Sequence, residues 1–223
     1  ALLAMAVFFV TRLVLLGHAV MFSQQSVGAL LGAFLLGSLR DIPAALVVAS
    51  PWLLFETVLS LKWRQRLRWP LFAIYVFTLL FVAVSEGIFW DEFSVRFNFI
   101  AVDYLVFTTE VIGNIRESYP VAKILTALAV LAGLIIWVMR RPVRQAVAAE
   151  ASRKSQFAWG LSLMVLFWVA AYKMPSPEFS SNTYANELAD NGWRSFLWAA
   201  RQNKLDYAQF YAMRPDAEVM ADL

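Results

Sequence analysis

The chain reads as an all-α membrane protein, with five transmembrane helices and amphipathic surface helices on the extracytoplasmic side. Three observations predict this. Of its 223 residues 61% are hydrophobic and only 16% are charged, whereas soluble domains run at roughly 45–50% and about 25%. The apolar residues gather in blocks close to the roughly 20 residues that a spanning helix needs. Basic connections alternate with an acidic one between the blocks, which is how membrane topology is written in loops.

Residues 1–20 form the first span. Arg12 interrupts their apolar core and no small-x-small cleavage site follows, so this is a retained helix and not a signal peptide. The chain opens at Ala1 inside this apolar run, as expected of a piece of a longer protein. Residues 27–37 are apolar but too short to span, and are expected to extend a neighbouring helix or dip into the interface. The second span is 43–61, the third 70–90, the fourth 121–139 and the fifth, a short one, 157–172.

Orientation follows from the connections. "KWRQRLR" at 62–68 carries four cations and no acid, and "RRPVRQAVAAEASRK" at 140–154 carries five cations against Glu150. Both are expected to be cytoplasmic. The 91–120 connection holds Arg96 and Arg116 against Asp91, Glu92, Asp103, Glu110 and Glu117. It is net acidic and is expected outside, with the N-terminus inside and the tail after Met174 outside. The predicted domains are therefore a five-helix membrane domain over 1–173 and an extracytoplasmic linker over 174–223.

The outer connection has its own periodicity. Val102, Leu105, Val106, Thr109 and Ile112 recur on one side of a helix, and Asp103, Glu110, Asn114 and Glu117 on the other. That pattern predicts a helix lying flat on the membrane surface, with Phe97, Phe99 and Tyr104 as interfacial anchors. In the tail, Asn182 or Thr183 is placed to cap a short helix running to Asp190, with Gly192 near its C-terminus. Trp193, Phe196, Leu197 and Ala200 then share one face of a second interfacial helix. A single GxxxG spacing, Gly28 to Gly32, is weak evidence for helix pairing.

Catalytic patterns are missing from the sequence. There is no cysteine and one histidine, His18, which excludes thiolate and multi-histidine metal sites. No phosphate-binding loop, nucleophile elbow or dinucleotide fingerprint occurs, and nothing suggests nucleic acid as a partner. Charges within spans are costly unless paired or wet. Arg12 and Glu56 are expected to form a structural ion pair. His18, Arg40, Asp41, Glu86, Asp91, Glu92 and Arg96 are expected to gather at the outer leaflet. There, arginine forks suit a lipid phosphate.

Three stretches carry a resemblance. "SLRDIPAAL" at 38–46, "FWDEFSVRFNFIAVDYLVFTTEVIGNIRESYP" at 89–120 and "NELADNGWRSFLWAARQNKLDYAQFY" at 186–211 resemble the lipoteichoic acid synthase-like proteins of the alkaline phosphatase/sulfatase superfamily, the long loop in particular its Gram-negative members. The resemblance implies a bacterial inner-membrane protein with its N-terminus cytoplasmic and its C-terminus periplasmic. It also implies five spans followed by an extracytoplasmic catalytic domain that transfers phosphoglycerol from phosphatidylglycerol. That domain would hold a threonine nucleophile and a divalent metal, commonly manganese, and would lie beyond residue 223, so no catalytic residue, metal ligand or cofactor is assigned within this chain. By location, Arg40, Asp41, Glu86, Arg96, Asn98, Asp103 and Glu110 are the candidates for the lipid headgroup. Phosphoethanolamine transferases share a similar plan, so the donor headgroup stays open, as does a non-enzymatic scaffold or transporter subunit. The implied partners are membrane lipids, phosphatidylglycerol first, and the chain's own catalytic domain.

Overall fold

The computed structural model describes residues 1–22, 26–106, 108–148, 160–162, 165 and 180–202. Among them every regular element is a helix: α1 (Leu2–Phe22), α2 (Val27–Val58), α3 (Leu61–Phe93), α4 (Phe99–Val106), α5 (Thr108–Ser118), α6 (Val121–Ala148), α7 (Thr183–Ala189) and α8 (Gly192–Gln202). Four of these, α1, α2, α3 and α6, are long and apolar enough to cross a membrane. The expected fifth span, 157–172, lies outside the described residues apart from 160–162 and 165. Within that fragment, Gly160 comes up against the Leu53 side chain of α2.

Two helices are longer than periodicity predicts. The short apolar run at 27–37 is the opening of α2, which Ser26 caps by accepting the Ala29 amide. The helix then runs through Pro43 and Pro51. Proline removes one backbone hydrogen bond, a loss that packed membrane helices tolerate. The basic stretch 62–68 is no loop either, because α3 starts at Leu61 and continues through Pro70. Likewise α6 carries its basic residues through Pro142 to Ala148. Only Leu59 and Ser60 separate α2 from α3, so these two helices run antiparallel from a shared basic end.

The bundle is held by small residues where helices approach closely. Ala4, Ala44 and Ala45 are buried with Phe8 and Leu79 between α1, α2 and α3. Side chains this small let backbones come together in an apolar solvent. The last membrane-length helix, α6, packs on α3 through Leu128 and Ala132 against Phe72, Val76 and Leu80. Its remaining faces expose Val130, Leu134, Trp137 and Val138, the pattern of a helix meant for lipid. At the end away from the α2–α3 turn, the linker helix α7 inserts Leu188 and Ala189 among Leu15, Ala19, Leu30, Ala33 and Trp90. We call this the linker end.

Candidate functional site

At the linker end four buried charges meet the end of a helix. Arg12 of α1 forks onto Asp41 of α2, with Nε to Oδ2 at 3.0 Å and Nη2 to Oδ1 at 2.6 Å. Both are almost fully buried, at 1% and 2% exposure. The neighbouring side chains Leu13, Val14, Leu35 and Leu39 are exposed, so the pair lies at a depth where the outside of the bundle is apolar. A charge there is tolerated only when paired.

The second pair depends on a chain reversal. Ser94 ends α3 in the left-handed region at φ 56°, and its amide bonds back to the Trp90 carbonyl. This left-handed cap turns the chain and returns Arg96 along α3. Its Nη1 pairs with Glu86, and its guanidinium lies 5.8 Å from the centre of the Trp90 ring.

Both arginines keep further donors, and α7 supplies the acceptors. A helix leaves its last carbonyls without partners inside the helix, at the negative end of its dipole. Arg96 Nε donates to the Glu187 carbonyl at 3.3 Å and Nη2 to the Leu188 carbonyl at 3.4 Å. Arg12 donates to the carbonyls of Leu188 and Asp190 at 2.5 and 2.9 Å. Arg40 donates to the Ala189 carbonyl at 3.3 Å. Three arginines, from α1, α2 and the segment after α3, thus grasp the carbonyl end of the linker helix. We call this arrangement the clamp.

Side chains after α7 lock the junction. Asn191 Oδ1 caps α8 by accepting the Arg194 amide, while its Nδ2 donates to Asp41 Oδ1 at 2.7 Å. Asp190 accepts both ends of the Arg194 fork, at 2.7 and 2.5 Å, and the Ser195 hydroxyl at 3.0 Å. Two glycines make room. A Cβ on Gly37 would collide with the Arg12 guanidinium, and one on Gly192 with the Glu86 carboxylate. Glu187 accepts the Arg96 amide through Oε2 at 2.9 Å. Burial still pushes its carboxyl above the ordinary value of 4.5, and Asp190 adds to the shift against the hydrogen bond from Arg96.

The expected site residues therefore divide. Asp41, Glu86 and Arg96 come together and are buried, and Arg40 joins them half-buried. The polar groups of Asp41, Glu86 and Arg96 serve internal contacts, while Arg40 donates to the Ala189 carbonyl and keeps partial exposure. Asn98, Asp103 and Glu110 stand apart: Asn98 accepts the Ile100 amide at the start of α4, and α4 and α5 bury no residue. His18 reaches Asp91 at 3.3 Å. Arg12 does not pair with Glu56. Its partner is Asp41, because α2 starts at Val27 and carries Asp41 to the middle of the helix, opposite Arg12. Glu56 instead takes Arg64 and Arg68 at the basic end. Gly192 opens α8 and does not close α7, whose cap on the far side is Asn182, accepting the Ala185 amide at 3.2 Å.

Glu187, Asp190, Asn191 and Arg194 were not among the expected site residues. Their signal in the sequence is the "ADNGW" turn at 189–193, a cluster of capping residues between two apolar patterns. Among the described residues no group of three or more metal-ligating side chains converges. No family model, curated protein or solved structure matches this chain.

Proposed function

We propose that this chain is the membrane domain of a lipid-headgroup phosphotransferase. It anchors a catalytic domain that follows the linker and presents phosphatidylglycerol to it, for phosphoglycerol transfer to an extracytoplasmic acceptor. The clamp is the observation that supports this reading most directly. A plain anchor needs only a flexible tether, whereas here three arginines and two buried ion pairs are committed to the start of the linker. A linker held rigidly fixes the height and direction of whatever follows it. Reaction between a tethered domain and lipid in the same membrane then becomes effectively intramolecular.

In this reading five spans place the basic ends in the cytoplasm of a bacterial inner membrane and the linker outside. The helices α4 and α5 lie along the outer headgroups, their exposed Leu105, Val106, Ile112 and Ile115 toward the acyl chains. Of the residues expected at the headgroup, Arg40 is the cation that keeps partial exposure and is the one assigned to the donor phosphate. Manganese and the nucleophile belong to the catalytic domain.

The test uses the full-length gene product, reconstituted with manganese in vesicles of phosphatidylglycerol or phosphatidylethanolamine, with diacylglycerol release as the readout. Release from phosphatidylglycerol supports the assignment. Release from phosphatidylethanolamine alone changes the donor to phosphoethanolamine, and release from neither leaves a scaffold. Arg40→Gln should raise KM for the lipid; an unchanged KM would remove Arg40 from the headgroup.

A further inference from the structure

Among the described residues, the basic end holds more guanidinium donors than acceptors. Glu56 of α2 takes Arg64 Nη1 through Oε2 at 3.5 Å and through its backbone carbonyl at 3.0 Å, and takes Arg68 Nε through Oε1 at 3.2 Å. Among the described residues one carboxylate therefore serves two guanidinium groups, and one positive charge is left over. Arg64 is only 5% exposed, yet its Nε has no acceptor among the described residues. The buried Nη2 of Arg68 has none either. Buried donors of this kind are rare in native structures and point to a missing acceptor.

The surroundings indicate which acceptor. Ser60, the N-cap of α3, makes no side-chain cap bond, so the first amides of α3 add positive potential at the same end. Trp69 follows Arg68 in sequence and carries the Arg144 guanidinium 5.9 Å from its ring centre. Arg144 itself is exposed. The candidate spans end at Glu56, begin at Lys62 and end at Arg144, so the group lies where three helices reach the membrane boundary. An acceptor at that place carries an anionic head and an apolar body.

We propose that Arg64, Arg68 and Arg144 bind the phosphate of an anionic phospholipid between the α2–α3 turn and the end of α6. The acyl chains follow the exposed apolar face of α6, past Trp137. The exposed Arg144 meets the phosphate first, and the buried donors Arg64 Nε and Arg68 Nη2 reach it as their side chains turn outward, in the fork geometry that arginine offers. This site lies at the opposite end of the bundle from the linker and does not depend on the proposed phosphotransfer.

The test is lipid retention by the full chain in detergent, read by native mass spectrometry. The probes are phosphatidic acid, which has no transferable alcohol headgroup, and phosphatidylcholine. Phosphatidic acid should be retained roughly tenfold better. The preference should fall in Arg68→Gln and in Arg144→Gln, and rise in Glu56→Gln, which removes the competing acceptor. Arg144 is exposed, so its variant keeps the fold, and a normal helical circular dichroism spectrum verifies this. Equal retention of the two lipids, or a preference that Arg144→Gln and Glu56→Gln leave unchanged, would overturn the proposal. Displacement of phosphatidic acid by inorganic phosphate at millimolar concentration would also overturn it, by showing a free-anion site.

Discussion

The two ends of the bundle solve the problem of charge near lipid in opposite ways. At the linker end two arginines meet two carboxylates, and the remaining donors are taken up by the carbonyls of α7. At the basic end two arginines share Glu56 and keep buried donors without an acceptor among the described residues. The first arrangement is closed, and it is closed by the protein's own backbone. Among the described residues the second remains open. On the proposal made above, buried arginines serve as structure in one place and as a receptor in another. What decides between the two roles is the count of acceptors supplied by the chain.

If the linker end is closed, breaking it should have the largest effect. Asp41→Ala leaves Arg12 as a buried charge without its carboxylate and also frees Asn191. Removing one partner of a buried pair costs about 3–5 kcal/mol, which should appear as a large drop in the melting temperature in detergent. The double variant Arg12→Met, Asp41→Leu should recover part of that loss. It should not recover the docking of α7, because the carbonyls of Leu188 and Asp190 lose the Arg12 donor and Leu188 keeps only the longer bond from Arg96. Glu56→Gln at the basic end should also lower the melting temperature, but less than Asp41→Ala, because Glu56 keeps partial exposure and its backbone carbonyl still accepts Arg64.

The glycines sharpen the comparison. Gly37→Ala places a methyl group against the Arg12 guanidinium and should cost about 1–3 kcal/mol through overpacking. Gly133→Ala, in α6, meets open space and should be neutral or stabilising by up to about 1 kcal/mol. Equal melting temperatures for the two variants would contradict the close passage of Arg12 beside Gly37.

Smaller effects should be confined to α7. Asn182→Ala removes its N-cap, worth about 1 kcal/mol. Proteolysis within 180–202 should quicken while the spans stay intact. The weakest prediction concerns pH. Glu187 has its folded pKa raised above 4.5, chiefly by burial. Its contribution to stability is therefore present below 4.5 and is lost as pH rises through the folded value. Raising pH from about 4.5 toward neutrality should loosen α7 slightly, and Glu187→Gln should remove that part of the pH dependence. The comparison between the two chains isolates Glu187 from Asp190, Arg96 and Arg194 around it.

Much of the fold was legible because its signals are local. Apolar blocks mark the four described spans, Asn182 sits where an N-cap belongs, and Trp193, Phe196, Leu197 and Ala200 anticipate α8. Helix ends were less legible. Pro43 and Pro70 look like starting points, yet both lie inside longer helices whose tertiary packing outweighs one lost hydrogen bond. Of the candidate site, the gathering of Asp41, Glu86 and Arg96 could be read from the order of spans and connections. The partner of Arg12 could not, because the choice between Asp41 and Glu56 depends on how far α2 runs before it meets α1. The clamp was the least legible part. Its acceptors are main-chain carbonyls, which every residue possesses and no sequence pattern marks.

Hydrogen exchange along the backbone, with the chain in a lipid nanodisc, tests the clamp most directly. Local protection reports how firmly a segment is held. A docked α7 should show amides at 183–189 protected on the timescale of the α2 amides, with that protection lost in Asp41→Ala. Amides in α7 that exchange as fast as those of a free peptide, while α2 stays protected, would contradict the clamp and the fixed linker built on it.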